Sequence, residues 1–382
     1  MAIGLKSFAV AGLLVQIGSG LLAETVMVFD RNPVQIADMQ PLPLHVGGRI
    51  QRAGPEIYAH QWPGVYVEAA FHGTALTIRF DDSINEYSLQ IDDAAPVPLA
   101  QPGTVDIRIT GLADADHRVR IDKNTESIDL TGNFGGVYIP LADQPLPVPP
   151  RSRQIEFIGD SDMTGYGIRS DNRNCTPEQV RLLSDTQAAY PVLVAKHFDA
   201  DYQVNAISGR GMVRNYDGFD PAISMQFVYQ RVLPSEEIVV ADPGWDPQII
   251  YVALGGNDFA TALHSGENWT DPAELIADYI NSFSRFVADL HVKNPNATIL
   301  IAMPYGSIIP EVQTTQFVTD FQSALLVTAG QIGLNRIDFL TLTDAKPEFT
   351  ACDYHPSLRD QQNRAAWLIG YLEDHPGLWD RP

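Results

Sequence analysis

A serine hydroxyl becomes a useful nucleophile only when a base removes its proton, a third group orients that base, and donors meet the oxyanion that forms. The run Ile155-Glu-Phe-Ile-Gly-Asp-Ser161 offers such a serine. An apolar, β-prone stretch stops abruptly at Gly-Asp-Ser, as a buried strand does on reaching the rim of a sheet. Ser161 is therefore the candidate nucleophile. His355, in Asp353-Tyr-His-Pro356, is the candidate base. Asp162-Met163 follows the serine, so the segment is not the Gly-x-Ser-x-Gly elbow of the α/β-hydrolases.

The elements around this run predict where its partners lie. Nearly all-apolar stretches at Ile155 to Ile158, Gln203 to Ile207, Ile249 to Leu254, Ala297 to Met303 and Ile337 to Leu342 read as strands buried on both faces. Helical periods separate them. The clearest helix opens at Asp271-Pro-Ala-Glu274, with an acidic N-cap, a proline in the first turn and a glutamate three residues on, and runs to about Lys293. Five strands with helical crossovers predict a parallel sheet in a three-layer α/β/α domain, which binds ligands beyond the carboxyl ends of its strands. Ser161, the Ser208-Gly-Arg-Gly211 turn and the Gly255-Gly-Asn-Asp258 turn each follow one strand, so they should converge on one rim.

Between Leu42 and Ile139 the pattern is different: short alternating segments such as Ala75-Leu-Thr-Ile-Arg-Phe80 and Val105-Asp-Ile-Arg-Ile109, separated by turn signals. These predict an antiparallel β-sandwich over residues 24–144. Pro145-Leu-Pro-Val-Pro-Pro150 reads as a stiff linker, and residues 151–382 as the second domain.

The chain has 382 residues, enough for two cores. Its 47 acidic against 25 basic residues leave a formal charge of -22. Such a field repels phosphate backbones and anionic lipid, so neither nucleic acid nor a membrane surface is expected as a partner. Residues 1–23 carry one lysine, an apolar stretch and a terminal alanine, the pattern of a signal peptide, and a secreted or periplasmic protein is expected. In an oxidising compartment Cys175 and Cys352 could pair, which would pin two loops of the candidate site together. No spacing of His, Cys, Asp or Glu suggests a metal site, no lysine completes a phosphate loop, and no cofactor is expected.

Gly159-Asp-Ser161, Gly209, Gly255-Gly-Asn-Asp258 and Asp353-Tyr-His-Pro356, in that order, resemble the four blocks of the SGNH (GDSL-type) hydrolases. With the first domain included, Trp62-Pro-Gly-Val-Tyr-Val-Glu-Ala-Ala-Phe-His-Gly-Thr-Ala-Leu, His117-Arg-Val-Arg-Ile-Asp-Lys-Asn-Thr-Glu126 and Phe134-Gly-Gly narrow the resemblance to carbohydrate esterase family 2. That resemblance implies a jelly roll joined to an SGNH domain that removes acetyl groups from plant polysaccharides such as xylan and glucomannan. It also implies Ser161 as nucleophile, His355 as general base, and an oxyanion hole of the Ser161 and Gly209 N–H groups with the Asn257 side-chain amide. The orienting acid departs from the usual pattern: Cys352 stands three residues before the histidine, and Asp353 two before. Either the Asp353 carboxylate, the preferred reading, or the Cys352 carbonyl could accept the second ring proton of His355. Tyr354, Trp269 and Tyr305 are the candidate sugar contacts, because aromatic rings stack on the apolar faces of pyranoses.

Acetylated polysaccharide or oligosaccharide is thus the expected partner, handled by a monomer through an acyl-serine intermediate. A lipase, thioesterase or acyltransferase would use the same residues on another acyl donor, and a non-catalytic glycan-binding protein would use the fold alone.

Overall fold

The computed structural model describes residues 25–31, 36–239, 242–304, 307–341 and 347–381; the expected signal segment and Tyr305 lie outside them. Two long antiparallel strands, Tyr66–Asp82 and Gly103–Lys123, organise the first domain. Each pairs along its length with the other, and their two halves take different outer partners. The early half of Tyr66–Asp82 pairs with His45–Gly47 and Gln144–Leu146, and the late half with Gly132–Pro140. The register jumps between Gly73 and Ala75, and a bulge of that kind bends a strand. One ladder thereby closes on a core that includes Phe71, Leu76, Ile78, Phe80, Ile107, Ile109 and Ile121. Pro145 and Leu146, read as linker, instead form part of a short strand beside His72–Ala70, a placement open to proline where no ladder N–H is needed.

The second domain is a five-stranded parallel sheet ordered Ala200–Ala206, Arg153–Gly159, Ile249–Val252, Thr298–Ala302, Ile337–Leu340. Alternate residues of its central strands feed opposite faces. Ile155, Phe157, Ile249, Tyr251 and Leu300 join Tyr190, Val194, Ala365 and Leu368 on one side. Ile158, Ile250, Val252, Ile299 and Ile301 join Tyr279, Phe283, Phe317 and Phe321 on the other. The helix Pro272–Lys293 is capped by Asp271, whose side chain accepts from Ala273 and Glu274 N–H, as its sequence predicts. Leu275, Tyr279, Phe283, Phe286, Val287 and Leu290 recur along one stripe and are buried, each contributing about 1.5–3 kcal/mol relative to exposure.

The domains meet through polar contacts. Glu156, fully buried in the parallel sheet, accepts from Asn205 Nδ2 at 2.6 Å and Trp245 Nε1 at 3.0 Å, and Arg49 of the first domain reaches it at 3.4 Å. The Arg151 guanidinium binds Glu68 at 2.8 Å. Among the described residues no helix is long and apolar enough to cross a membrane.

Candidate active site

Ser161 opens a single helical turn, Ser161–Thr164, directly after the Arg153–Gly159 strand. Its backbone N–H is the first of that turn and so has no partner within it. Asp160 caps the turn, accepting from Asp162 N–H at 3.2 Å. The C-terminal helix Leu358–Asp374 braces the same turn: Gln361 Nε2 donates to the Asp162 carbonyl at 2.9 Å and Arg364 Nη1 to the Asp162 carboxylate at 3.0 Å. That helix begins at a Ser357–Asp360 capping box just after His355-Pro356, so one element braces both the Ser161 turn and the His355 segment.

Ser161, Asn257, His355 and Tyr354 line one cleft of about 420 Å³, walled on its apolar side by Leu254, Met303 and Pro304. His355 Nδ1 lies 2.9 Å from the Cys352 carbonyl. A carbonyl can only accept, so the ring proton sits on Nδ1 and Nε2 keeps its lone pair for an incoming proton. The Ser161 hydroxyl and Nε2 are not hydrogen-bonded to each other in this arrangement; such pairs commonly tighten only when substrate is bound.

Asp353, expected to orient the ring, is engaged elsewhere. Its backbone is left-handed, with φ of 51°, and its carboxylate accepts the Tyr166 hydroxyl at 2.9 Å. The Cys352 carbonyl thus holds the place that the usual pattern gives to an aspartate. Tyr166, which the sequence reading overlooked, lies against the His355 ring with centroids 4.2 Å apart. Burial and the Asp353 charge both push its hydroxyl pKa up, so it remains a proton donor to that carboxylate.

A disulfide joins Cys175 to Cys352, with Cα atoms 5.4 Å apart. The loop it closes is tied further by Asp353 N–H to the Arg173 carbonyl at 2.8 Å and by Arg173 Nε to the Phe349 carbonyl at 2.7 Å. The Arg173 guanidinium lies 4.8 Å from the ring centroid of Tyr354, which is 66 % exposed beside the cleft. Trp269 is not at the rim: it is buried in the core, its indole donating to Asp278 at 3.1 Å, so packing accounts for it.

Asn257 follows the Ile249–Val252 strand, at the start of another single turn, Gly256–Phe259. Its Nδ2 stands 3.1 Å from both Asp160 Oδ2 and the Arg210 carbonyl, two acceptors that fix which amide atom is nitrogen. Each amide hydrogen therefore has a partner in this arrangement. Asp258 next to it is fully buried and accepts from Met212, Val213 and Arg214 N–H at 2.8 to 2.9 Å, binding the loop after Ile249–Val252 to the loop after Ala200–Ala206. Burial pushes the Asp258 carboxyl up to about 6 against the pull of those donors. Asp160 is pushed up to about 8 by burial, helped by the Asp162 charge.

Gly209 adopts φ of 77°, and a Cβ there would sit 3.1 Å from the Phe219 ring, so glycine suits the position on both counts. Its carbonyl accepts Tyr216 N–H at 2.9 Å, while its own N–H has no protein acceptor among the described residues. His264 pairs with Asp217 at 2.5 Å in an exposed loop, a surface role. Among the described residues no group of His, Cys, Asp and Glu is arranged to hold a metal ion.

The family described as Carbohydrate esterase 2 N-terminal matches residues 46–149, and the GDSL-like Lipase/Acylhydrolase family matches residues 157–362. The chain is similar to an acetylxylan esterase / glucomannan deacetylase of Cellvibrio japonicus, 40% identical over 347 residues that cover 89% of this chain and 93% of that protein. Among solved structures, it is similar to a carbohydrate esterase described as having divergent catalytic and non-catalytic binding functions, with TM-score 0.79, 37% identity, and coverage of 89% of this chain and 100% of that one. A family 2 carbohydrate esterase from Corynascus thermopiles, solved with a carbohydrate-binding domain, aligns with TM-score 0.70 at 26% identity over 88% of this chain and 100% of that one. A carboxylic ester hydrolase, the chain belongs to carbohydrate esterase family 2, in the wider GDSL-like lipase and acylhydrolase group.

Proposed function

We propose that the protein removes O-acetyl groups from xylan- or glucomannan-type polysaccharides or their oligosaccharides, through an acyl-serine intermediate. The observation that carries this reading is the His355 ring, held by the Cys352 carbonyl with its proton on Nδ1, in the cleft that Ser161 and Asn257 also line. In the first step Nε2 takes the Ser161 proton as Oγ adds to the acetyl carbonyl. The resulting oxyanion accepts from the Ser161 and Gly209 N–H groups and from the Asn257 amide. Collapse expels the sugar alkoxide, which recovers the proton from Nε2, and water then repeats the cycle to release acetate. The polysaccharide assignment leans on the Cellvibrio japonicus relative, an acetylxylan esterase / glucomannan deacetylase. Exposed Tyr354, at the mouth of the cleft, is the sugar contact in this reading. The Cys175–Cys352 disulfide suits an exported protein, in keeping with the apolar N-terminal segment.

The test is acetate release from acetylated xylan and acetylated glucomannan, set against hydrolysis of butyrate and longer esters, for the wild type and Ser161→Ala. Acetate release that vanishes in the variant, with weak turnover of long acyl chains, is the expected outcome. Preference for long chains would move the protein to a lipase role, and undiminished activity in Ser161→Ala would remove the mechanism.

A further inference from the structure

The first domain enters the site through the segment that follows the Gly103–Lys123 strand. Glu126 Oε2 accepts Ser208 N–H at 2.9 Å, in the turn that presents Gly209. Two residues earlier, the Asn124 carbonyl accepts Thr186 N–H at 2.8 Å, and the Thr186 hydroxyl donates to the Thr164 carbonyl at 2.6 Å, at the end of the Ser161 turn. Thr164 Oγ1 and Ser208 Oγ, 3.1 Å apart, close the circuit. The nucleophile's turn and the Gly209 turn are thus joined to each other, the first tied through Thr186 to Asn124 and the second directly to Glu126 of the other domain.

Those residues are themselves fixed. Thr125 Oγ1 accepts Glu86 N–H and donates to Asn85 Oδ1, both at 3.1 Å. Lys123, buried, donates to the Gln61 and Trp62 carbonyls at 2.7 and 2.9 Å, and Ser127 N–H to Gln61 at 3.0 Å. The segment is therefore anchored on both sides of Glu126. The chemistry needs such support, because Gly209 has left-handed backbone and an N–H useful only if aimed within a few tenths of an ångström of the reacting oxygen.

We propose that Glu126 is a positioning residue of the esterase: a first-domain carboxylate that fixes the Ser208–Gly209 turn so that the Gly209 N–H meets the developing oxyanion. The first domain is then part of the catalytic machinery, beyond any part it plays in holding polysaccharide. This rests on the oxyanion reading of Gly209 given above. What Glu126 must supply is an acceptor at the right reach, not a charge, which separates it from a residue that merely stabilises the fold.

The experiment is steady-state hydrolysis of 4-nitrophenyl acetate by the full chain as wild type, Glu126→Gln, Glu126→Asp, Glu126→Ala and Ser161→Ala, with thermal midpoints measured alongside. Glu126→Ala and Glu126→Asp are expected to lose roughly 10- to 100-fold in kcat with KM within about twofold, because the turn drifts in one and is pulled short in the other. Glu126→Gln, which keeps an acceptor at full reach, is expected to stay within about threefold of wild type. Should Glu126→Ala not fold, the Gln-against-Asp ranking still decides. Wild-type kcat in Glu126→Ala, or activity that follows charge (Asp active, Gln impaired), overturns the proposal while the esterase reading stands. Activity surviving in Ser161→Ala would overturn that reading, and this proposal with it.

Discussion

The Tyr166 hydroxyl donates to the Asp353 carboxylate at 2.9 Å while the Tyr166 ring lies 4.2 Å from that of His355. Asp353 is thus linked to His355 through the tyrosine, and the His355 Nδ1 proton goes to the Cys352 carbonyl. If Asp353 acts by holding Tyr166 in place, Asp353→Ala and Tyr166→Phe break the same bond. Each should lower kcat by only a few-fold, and the double variant should lose no more than the worse single one. A double-mutant cycle on 4-nitrophenyl acetate measures this. Additive losses, or a drop near 10⁴-fold in Asp353→Ala alone, would return the orienting role to the carboxylate.

What the sequence could and could not disclose follows from the range of each interaction. The parallel strands were readable because burial on both faces writes an apolar run, and the Asp271 helix because its cap is local. Alternation marked only short segments such as Ala75–Phe80 and Val105–Ile109, whereas the strands Tyr66–Asp82 and Gly103–Lys123 that contain them run on through the Gly73–Ala75 bend. The orienting acceptor was out of reach for a different reason. Its choice depends on a positive φ at Asp353 that turns the carboxylate toward Tyr166, and no residue spacing encodes that angle. Trp269 looked like a rim aromatic, yet Asp278 satisfies its indole within the core. Tyr166 and Glu126 act through tertiary contacts alone, and neither left a local signal.

Asn257 tests the oxyanion hole. Asn257→Ala removes a donor whose position is set by Asp160 and the Arg210 carbonyl, and the expected cost is about 2.7 to 4 kcal/mol in barrier height, or a fall of roughly 10² to 10³ in kcat. KM should change little, because the oxyanion exists only in the transition state. A KM effect larger than the kcat effect would mean that the amide binds ground-state substrate instead.

The Cys175–Cys352 disulfide closes a sequence separation of 177 residues and anchors the very residue whose carbonyl holds His355. In the chain-entropy account such a closure contributes roughly 5 kcal/mol. The Cys175→Ser/Cys352→Ser variant is expected to lower the thermal midpoint by on the order of 5–10 °C and to reduce kcat at temperatures where it remains folded. Gly167→Ala probes the same corner without touching sulfur: its Cβ would meet the Cys352 Cβ at 2.5 Å, on a backbone with φ of 55°. A serine pair that unfolds earlier but turns over at the wild-type rate would confine the bond to stability.

Asp201 should govern part of the acid response. It accepts from His45 Nε2 at 2.7 Å, the Tyr66 hydroxyl at 2.6 Å and Arg151 N–H at 2.9 Å, so donors from both domains converge on one carboxylate. Burial acts to raise its pKa, but these donors prevail and hold it down to about 2. An unfolded aspartate titrates near about 3.9. A carboxyl depressed on folding stabilises the native state fully above the unfolded value, and this contribution fades as pH falls from about 4 toward about 2. Asp201→Asn is therefore expected to be less stable than wild type at neutral pH and to show a shallower loss across that acid window. Urea midpoints for both proteins between pH 2 and 7 check it, and parallel curves would place the acid sensitivity in other carboxylates, such as Glu68 between Arg120 and Arg151.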